Sequence, residues 1–220
     1  MEAYGRPMAR SSRPIDAVLC DVDGVLRHWD ADVTVALERR YGLAAGVLLG
    51  TAFAPTRLLP AITGQVEDGE WRAGIAADLA ERWLPAERAT ELVEAWSQSV
   101  GRLDEQVCEL LTQARRWVPV ALVSNGTTRL ESDLARLGVT DRLNPVVVNS
   151  ARIGTAKPAT EIYLAAARAV GVPPERCLFV DDSPGHVYAA QKLGLTALLH
   201  RNADGLRAAL AQTDLRSCPR

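Results

Sequence analysis

The chain has 220 residues, of which 48% are hydrophobic, and a formal net charge of −2. This length fits one large domain or one domain with an insertion, and the composition is that of a globular protein with a substantial core. The charge lacks the basic excess typical of nucleic-acid binding, and no apolar run approaches the roughly 20 residues of a membrane span.

The cysteines and the two ends of the chain indicate the cellular compartment of the protein. Neither a CxxC pair nor a Cys/His spacing typical of zinc sites occurs among the four cysteines. Residues 1–14 are basic but lack the apolar segment of a secretory signal, and we expect flexible termini at 1–14 and 212–220. We therefore expect a cytoplasmic protein that acts as a monomer or a homodimer.

Five apolar runs predict buried strands, and helical patterns separate most of them. The strands are predicted at 15–20, 118–123, 145–149, 177–180 and 195–199. Amphipathic or alanine-rich helices are predicted at 104–116, 128–137, 159–170, 184–193 and 203–211. This alternation of strand and helix predicts an α/β domain with a parallel sheet.

Residues 30–100 interrupt the alternation because they contain no convincing strand. Helical patterns occur there near 32–41, 45–52, 55–63, 69–83 and 86–99. We predict that this segment is a small helical domain inserted into a core formed by 15–29 and 101–211.

Polar residues follow several of the predicted strands. Because the carboxyl ends of parallel strands meet at one edge of a sheet, we expect these side chains to lie close together. Clustered carboxylates repel one another unless a cation joins them, and oxygen ligands favour Mg²⁺. A carboxylate nucleophile, a second carboxylate, a lysine and a hydroxyl are also the groups that phosphoryl transfer needs. The residues concerned are Asp21, Asp23, Ser124, Asn125, Gly126, Lys157, Asp181 and Asp182.

At these positions the sequence resembles the haloacid dehalogenase-like hydrolase superfamily. Four motifs occur in the family's order: DVDGV at 21–25, SNG at 124–126, KP at 157–158 and FVDDS at 179–183. The long segment between the first two motifs is similar to the helical-cap subgroup, and the sequence around the last two is similar to its phosphatase branch. The resemblance implies a Rossmann-like parallel sheet core with an inserted helical cap.

The resemblance also implies a role for each residue. Asp21 would be the nucleophile and a Mg²⁺ ligand, and Asp23 would be the general acid and base, with its backbone carbonyl on the metal. Lys157 would stabilise charge. Ser124 and the backbone at Asn125 would bind the phosphoryl group, and Gly126 belongs to the same substrate-binding set. Asp182 would complete the metal site, with Asp181 acting through water or a neighbouring group, although the paired aspartates leave open which one ligates directly.

Other residues have less specific expectations. His186 stands where many relatives have asparagine, and we expect it to be a packed polar residue near the metal ligands. The superfamily places a flap at the residues after the first motif, so one of Arg27, His28 and Trp29 is a candidate for contact with substrate. The insertion also contains candidates for contacts that recognise the leaving group of the substrate, namely Arg57, Glu70 and Arg72.

These observations predict a Mg²⁺-dependent phosphomonoesterase that acts on a small phosphorylated metabolite through a phospho-aspartate. The substrate class is a sugar phosphate or a phosphoglycolate-like ester. A phosphomutase of the same fold and a non-catalytic phosphate-binding homologue remain alternatives. A dehalogenase is disfavoured because Asp23 is present, and a phosphonatase because no lysine lies between residues 24 and 156.

Overall fold

A computed structural model describes residues 15–212, with the side chain of residue 212 excepted. Seven strands are present in this range: β1 (Ala17–Cys20), β2 (Arg27–His28), β3 (Arg102–Leu103), β4 (Val120–Ser124), β5 (Val146–Asn149), β6 (Cys177–Asp181) and β7 (Thr196–Leu199). Five of them form a parallel sheet in the order β5-β4-β1-β6-β7, while β2 and β3 pair antiparallel. The prediction of an α/β fold with a parallel sheet is confirmed.

Helices cover both faces of the sheet and fill the insertion. They are α1 (Ala31–Tyr41), α2 (Val47–Ala52), α3 (Pro55–Ile62), α4 (Asp68–Arg82), α5 (Ala86–Ser97), α6 (Glu105–Ala114), α7 (Leu130–Arg136), α8 (Val139–Leu143), α9 (Ser150–Ile153), α10 (Thr160–Val170), α11 (Pro184–Lys192) and α12 (Ala203–Gln212). Each predicted helix and strand overlaps one of these elements. The predicted flexible termini lie outside the described residues, except for Gln212, which ends α12.

The strands β1, β4, β5 and β6 are apolar except for the polar residue that ends β4, β5 and β6, because helices pack on both sides of the sheet. In β1, Val18 and Cys20 face one hydrophobic cluster, which also contains side chains of α6, α7, α8 and α12. Ala17 and Leu19 face a second cluster, with side chains of α10 and α11. Successive residues of a strand point to opposite faces, so the run 15–20 supplies both clusters.

The insertion buries an apolar cluster of its own. Leu48, Ile75, Leu79 and Leu92 are fully buried there, and Trp71 packs with them. Helices α1 to α5 stand at the predicted positions, between β2 and β3. The assignment of 30–100 as a separate domain stays a prediction.

The short hairpin of β2 and β3 was not predicted. Arg27 pairs with Leu103 and His28 with Arg102, so the two ends of the insertion meet at this hairpin. Strands of two residues are too short to show a hydrophobic period, and only their tertiary pairing defines them.

Two further findings concern the described residues. Cys20, Cys108 and Cys177 are buried free thiols. Between residues 15 and 212, no helix combines the length and the apolar character that crossing a membrane requires.

Candidate active site

The predicted site residues converge at the carboxyl end of the two central strands. Asp21 directly follows β1, and Asp181 ends the neighbouring strand β6. The backbone N–H of Asp21 donates to the carbonyl of Val180 at 2.8 Å, which continues the pairing of the two strands up to the site. Adjacent parallel strands therefore place both carboxylates at one edge of the sheet, as expected.

Lys157 lies between these two carboxylates. Its Nζ is 2.7 Å from Asp21 Oδ1 and 2.7 Å from Asp181 Oδ2. The three side chains are nearly inaccessible, with exposed fractions of 1% for Lys157, 7% for Asp21 and 0% for Asp181. With all three groups ionised, the cluster carries a buried net charge of −1, so one further positive charge can be accommodated there.

The pKa values of the three groups reflect burial and mutual contact. Burial raises the pKa of Asp21 to about 7, and the Lys157 ammonium only partly opposes this effect. Burial also acts on Asp181, but hydrogen bonding to His186 and the Lys157 charge outweigh it and lower the pKa of Asp181 to about 2. The two carboxylates outweigh the burial of Lys157 and raise its pKa, so the lysine stays charged.

Asn125 fixes the backbone that carries Lys157. Its Oδ1 accepts from the Lys157 backbone N–H at 2.7 Å, and its Nδ2 donates to the Lys157 carbonyl at 2.9 Å. The loop after α9 is thereby attached to the loop after β4, although the two residues are 32 positions apart in the chain. Sequence reasoning gave Asn125 a backbone role in phosphoryl binding and missed this side-chain role.

Asp181 is held by three partners. Besides Lys157, the backbone N–H of Ser183 lies 2.8 Å from Asp181 Oδ1, and His186 Nδ1 lies 3.0 Å from the same oxygen. His186 stands in the first turn of α11, five positions after Asp181. This short separation was the sequence feature from which their contact could have been predicted. His186 therefore lies next to Asp181, and its role at a metal site stays a prediction.

Asp182 lies against the loop of the first motif. Gly24 has a φ of +86°, and a Cβ at this position would overlap the Asp182 carboxylate. A glycine is therefore required both by the backbone conformation and by the close approach of Asp182. Asp182 and the residues after β1 thus share the same edge of the sheet.

These residues suit a hard divalent cation. Asp21, Asp181 and His186 can each offer an atom within 4.8 Å of the others. His186 already contacts Asp181, and a nitrogen is a poor ligand for Mg²⁺, so the oxygen donors of Asp21 and Asp181 are the members of this group that fit. Asp182, whose carboxylate lies against Gly24, is an oxygen donor outside this group. Asp21 Oδ1 accepts from the backbone N–H of Val22 at 2.7 Å and lies 2.7 Å from Lys157 Nζ.

The loop after β4 joins the site to the insertion. Ser124 is buried at the end of β4, and the carbonyl of Gly126 accepts from Ser150 Oγ at 3.3 Å. One position further, Thr127 Oγ1 donates to Asp68 Oδ1 at 2.7 Å, and Asp68 begins helix α4. The predicted phosphoryl-binding residues and the insertion are therefore attached through one loop.

The candidates in the insertion are engaged with other residues of the insertion. Arg57 donates two hydrogen bonds of 2.6 Å to Asp78, and Glu70 accepts from the backbone N–H of Glu67 in a capping box. Arg72 donates to Asp68 at 2.6 Å and reaches the core loop only through that carboxylate. Helical periodicity predicts which residues share one face of a helix, but it does not predict which face contacts the core.

The flap residues divide into two groups. His28 Nε2 lies 3.0 Å from Asp104 Oδ2, at the N-terminus of α6. Arg27 and Trp29 instead both donate hydrogen bonds to Asp23. The Asp23 carboxylate is partly exposed, with 37% of its side chain accessible.

Comparisons with known proteins agree with this geometry. A family model described as haloacid dehalogenase-like hydrolase matches residues 15–194. The chain is 29% identical over 200 residues to the protein named Phosphatase MT3486 from Mycobacterium tuberculosis, and the match covers 84% of this chain and 87% of that protein.

Two solved structures show the same fold. One is a HAD family enzyme from Bacteroides thetaiotaomicron in complex with magnesium and inorganic phosphate, with a TM-score of 0.68, 21% identity, and coverage of 85% of this chain and 94% of that one. The other is an L-2-haloacid dehalogenase from Xanthobacter autotrophicus, with a TM-score of 0.62, 22% identity, and coverage of 91% and 84%. With the family model spanning four of the five strands of the parallel sheet and all four motifs, the chain belongs to the haloacid dehalogenase-like hydrolases.

Proposed function

We propose that this protein is a Mg²⁺-dependent phosphomonoesterase that acts through a phospho-aspartate at Asp21. The observation that carries the proposal is the Lys157 ammonium held between Asp21 and Asp181 at 2.7 Å from each. A buried lysine in contact with a buried carboxylate can neutralise the charge of a phosphoryl group as that carboxylate attacks it. A relative of similar length is named a phosphatase.

The proposed reaction has two steps. The Asp21 carboxylate attacks the phosphorus atom, the bond to the ester oxygen breaks, and Asp23 gives a proton to the leaving alcohol. Asp23 then takes a proton from a water molecule, which attacks the phosphorus of phospho-Asp21 and releases inorganic phosphate. Ser124 and the backbone N–H groups of Asn125 and Gly126 would hold the phosphoryl oxygens.

The metal site would be formed by Asp21, Asp182 and the backbone carbonyl of Asp23. A Mg²⁺ ion held there would neutralise the phosphoryl oxygens and lower their repulsion of the attacking carboxylate. We assign Asp182 as the direct ligand because Asp181 already contacts Lys157, Ser183 and His186. Asp181 would then hold Lys157 and His186 in place.

The substrate would be a small phosphorylated metabolite, and the insertion would be a helical cap over the site. The Thr127–Asp68 hydrogen bond supports this role, since it joins the insertion to the loop that would bind the phosphoryl group. A cap of this kind excludes water during the first step and supplies contacts to the leaving group.

Phosphate release from a panel of small phosphate esters tests the proposal. The assay compares wild type with Asp21→Asn, each with Mg²⁺ and with a chelator. Asp78→Asn is the matched control, because Asp78 is a carboxylate of the insertion that pairs with Arg57 away from the motifs. We expect release that requires both Mg²⁺ and Asp21 and that is retained in the control. Full activity of Asp21→Asn would contradict the proposal, and isomerised ester without free phosphate would indicate a mutase.

A further inference from the structure

The carboxylate of Asp23 is held by three donors from the flap. Arg27 Nε donates to Asp23 Oδ1 at 2.7 Å and Arg27 Nη2 to Oδ2 at 2.9 Å. Trp29 Nε1 donates to Oδ1 at 2.6 Å. A two-pronged contact with a guanidinium plane fixes the direction of a carboxylate as well as its position.

Arg27 is itself fixed by its surroundings. The residue is 4% exposed, and its backbone pairs with Leu103 in the β2–β3 hairpin. Its stem passes over Gly101, where an added Cβ would lie 2.8 Å from Arg27 Cγ. On the far side, Arg27 Nη1 lies 3.7 Å from Asp133 Oδ2 of α7. The guanidinium is therefore anchored by the hairpin and by the core, and it presents its other edge to Asp23.

Trp29 adds a donor without being a core residue. Its side chain is half-exposed, so burial does not explain its position. The Arg27 guanidinium lies over its ring, 4.6 Å from the centroid. This stacking aligns the indole N–H with the carboxylate oxygen that Arg27 Nε also contacts.

We propose that Arg27 and Trp29 are positioning residues for Asp23, which aim its carboxyl group at the oxygen of the leaving alcohol. This inference rests on the proposed function, in which Asp23 transfers the proton. Proton transfer requires hydrogen-bond geometry between the acid and the leaving oxygen, and Asp23 is too exposed for packing to provide it. The flap supplies the orientation instead.

The test uses two esters that differ in their need for a proton. The p-nitrophenolate ion leaves without protonation, whereas an aliphatic alcohol such as glycerol requires it. In Arg27→Gln we expect kcat/KM for glycerol 2-phosphate to fall about 100-fold, which is the lower range for loss of a positioned acid, with a much smaller fall for p-nitrophenyl phosphate. The comparison uses kcat/KM because this quantity reports the steps up to departure of the alcohol, before the attack of water that both esters share.

Two further variants and one control complete the set. Arg27→Lys keeps the positive charge but loses the two-pronged contact with Asp23. It should therefore be more active on the aliphatic ester than Arg27→Gln. Trp29→Phe keeps the ring and loses the N–H, and a change at a half-exposed residue should leave the fold intact. Arg129→Gln is the control, because Arg129 also pairs with Asp133 and makes no contact with Asp23. It should leave the ratio of the two rates at the wild-type value.

The outcomes separate the two proposals. If wild type hydrolyses neither ester, the proposed function fails. If wild type is active and kcat/KM falls equally for both esters in Arg27→Gln and in Trp29→Phe, the role is structural and the positioning inference is overturned. Thermal unfolding of Asp23→Asn, Arg27→Gln and the double variant measures the contact independently of activity. If the stability loss of the double variant equals the sum of the losses of the two single variants, the inference is also overturned. A double variant that loses less stability than this sum supports the inference.

Discussion

Replacing Asp21 with asparagine should make the protein more stable while abolishing the proposed reaction. Burial raises the pKa of Asp21 from 3.8 to about 7, so the folded state disfavours the ionised carboxylate. A raised pKa means that Asp21 contributes stability below about pH 4 and that this contribution is lost as the pH rises to about 7. A difference of this size corresponds to about 4 kcal/mol.

Asparagine removes the charge and keeps the acceptor that the structure uses. Asp21 Oδ1 accepts from the backbone N–H of Val22 at 2.7 Å and contacts Lys157, and an asparagine Oδ1 can do both. The buried cluster then changes from a net charge of −1 to a neutral Lys157–Asp181 pair. We expect the free energy of unfolding to rise in Asp21→Asn at pH 7.5, by up to the value above.

Urea unfolding at several pH values, with a chelator present, measures this effect. The stability difference between Asp21→Asn and wild type should be small at pH 4, grow as the pH rises to about 7, and then level off. Addition of Mg²⁺ should narrow the difference, because a ligand that binds the folded wild type stabilises it. A variant that is no more stable than wild type at pH 7.5, or a difference that does not depend on pH, would refute this reasoning.

Two further predictions concern the same cluster. Lys157→Gln should lower the free energy of unfolding by about 3 to 5 kcal/mol, because it leaves two buried carboxylates facing each other. Lys192→Gln, at the exposed end of α11, is its control and should change stability by less than about 0.5 kcal/mol in the same urea titration. His186→Ala removes a hydrogen-bonding partner that helps to hold the pKa of Asp181 at about 2 against burial. Asp181 contributes stability above about pH 4 that is lost as the pH falls towards 2. Without His186 the folded-state pKa of Asp181 should rise and this contribution should shrink, so His186→Ala should be less stable than wild type at pH 5 and the difference should narrow as the pH falls to 2.5. A difference in urea midpoint that is the same at pH 5 and pH 2.5 would contradict this.

The sheet and its charged edge were predictable because both depend on local sequence. Strands such as β1 and β6 are continuous apolar runs, and their pairing as neighbours brings Asp21 and Asp181 together. The motifs then supply Lys157, which the structure places between them.

The contacts that depend on orientation were not predictable. The pairing of Asp23 with Arg27, four positions away, is common on a helix but here arises from a loop and a two-residue strand. His28 contacts Asp104 across 76 positions, through a hairpin too short to leave a pattern in the sequence. Arg57 is used inside the insertion because α3 and α4 face each other there, and periodicity cannot choose among the possible partners of a helix face.

The stability cost at Asp21 and the cost of removing Lys157 have the same physical origin. Two carboxylates and one ammonium are buried together, so the cluster is one positive charge short of neutrality. Removing a negative charge relieves that imbalance, and removing the positive charge worsens it. A fold selected only for stability would replace Asp21 with a neutral residue at little structural expense. The presence of Asp21 is explained if a divalent cation supplies the missing positive charge during the reaction and the ionised carboxylate is the nucleophile.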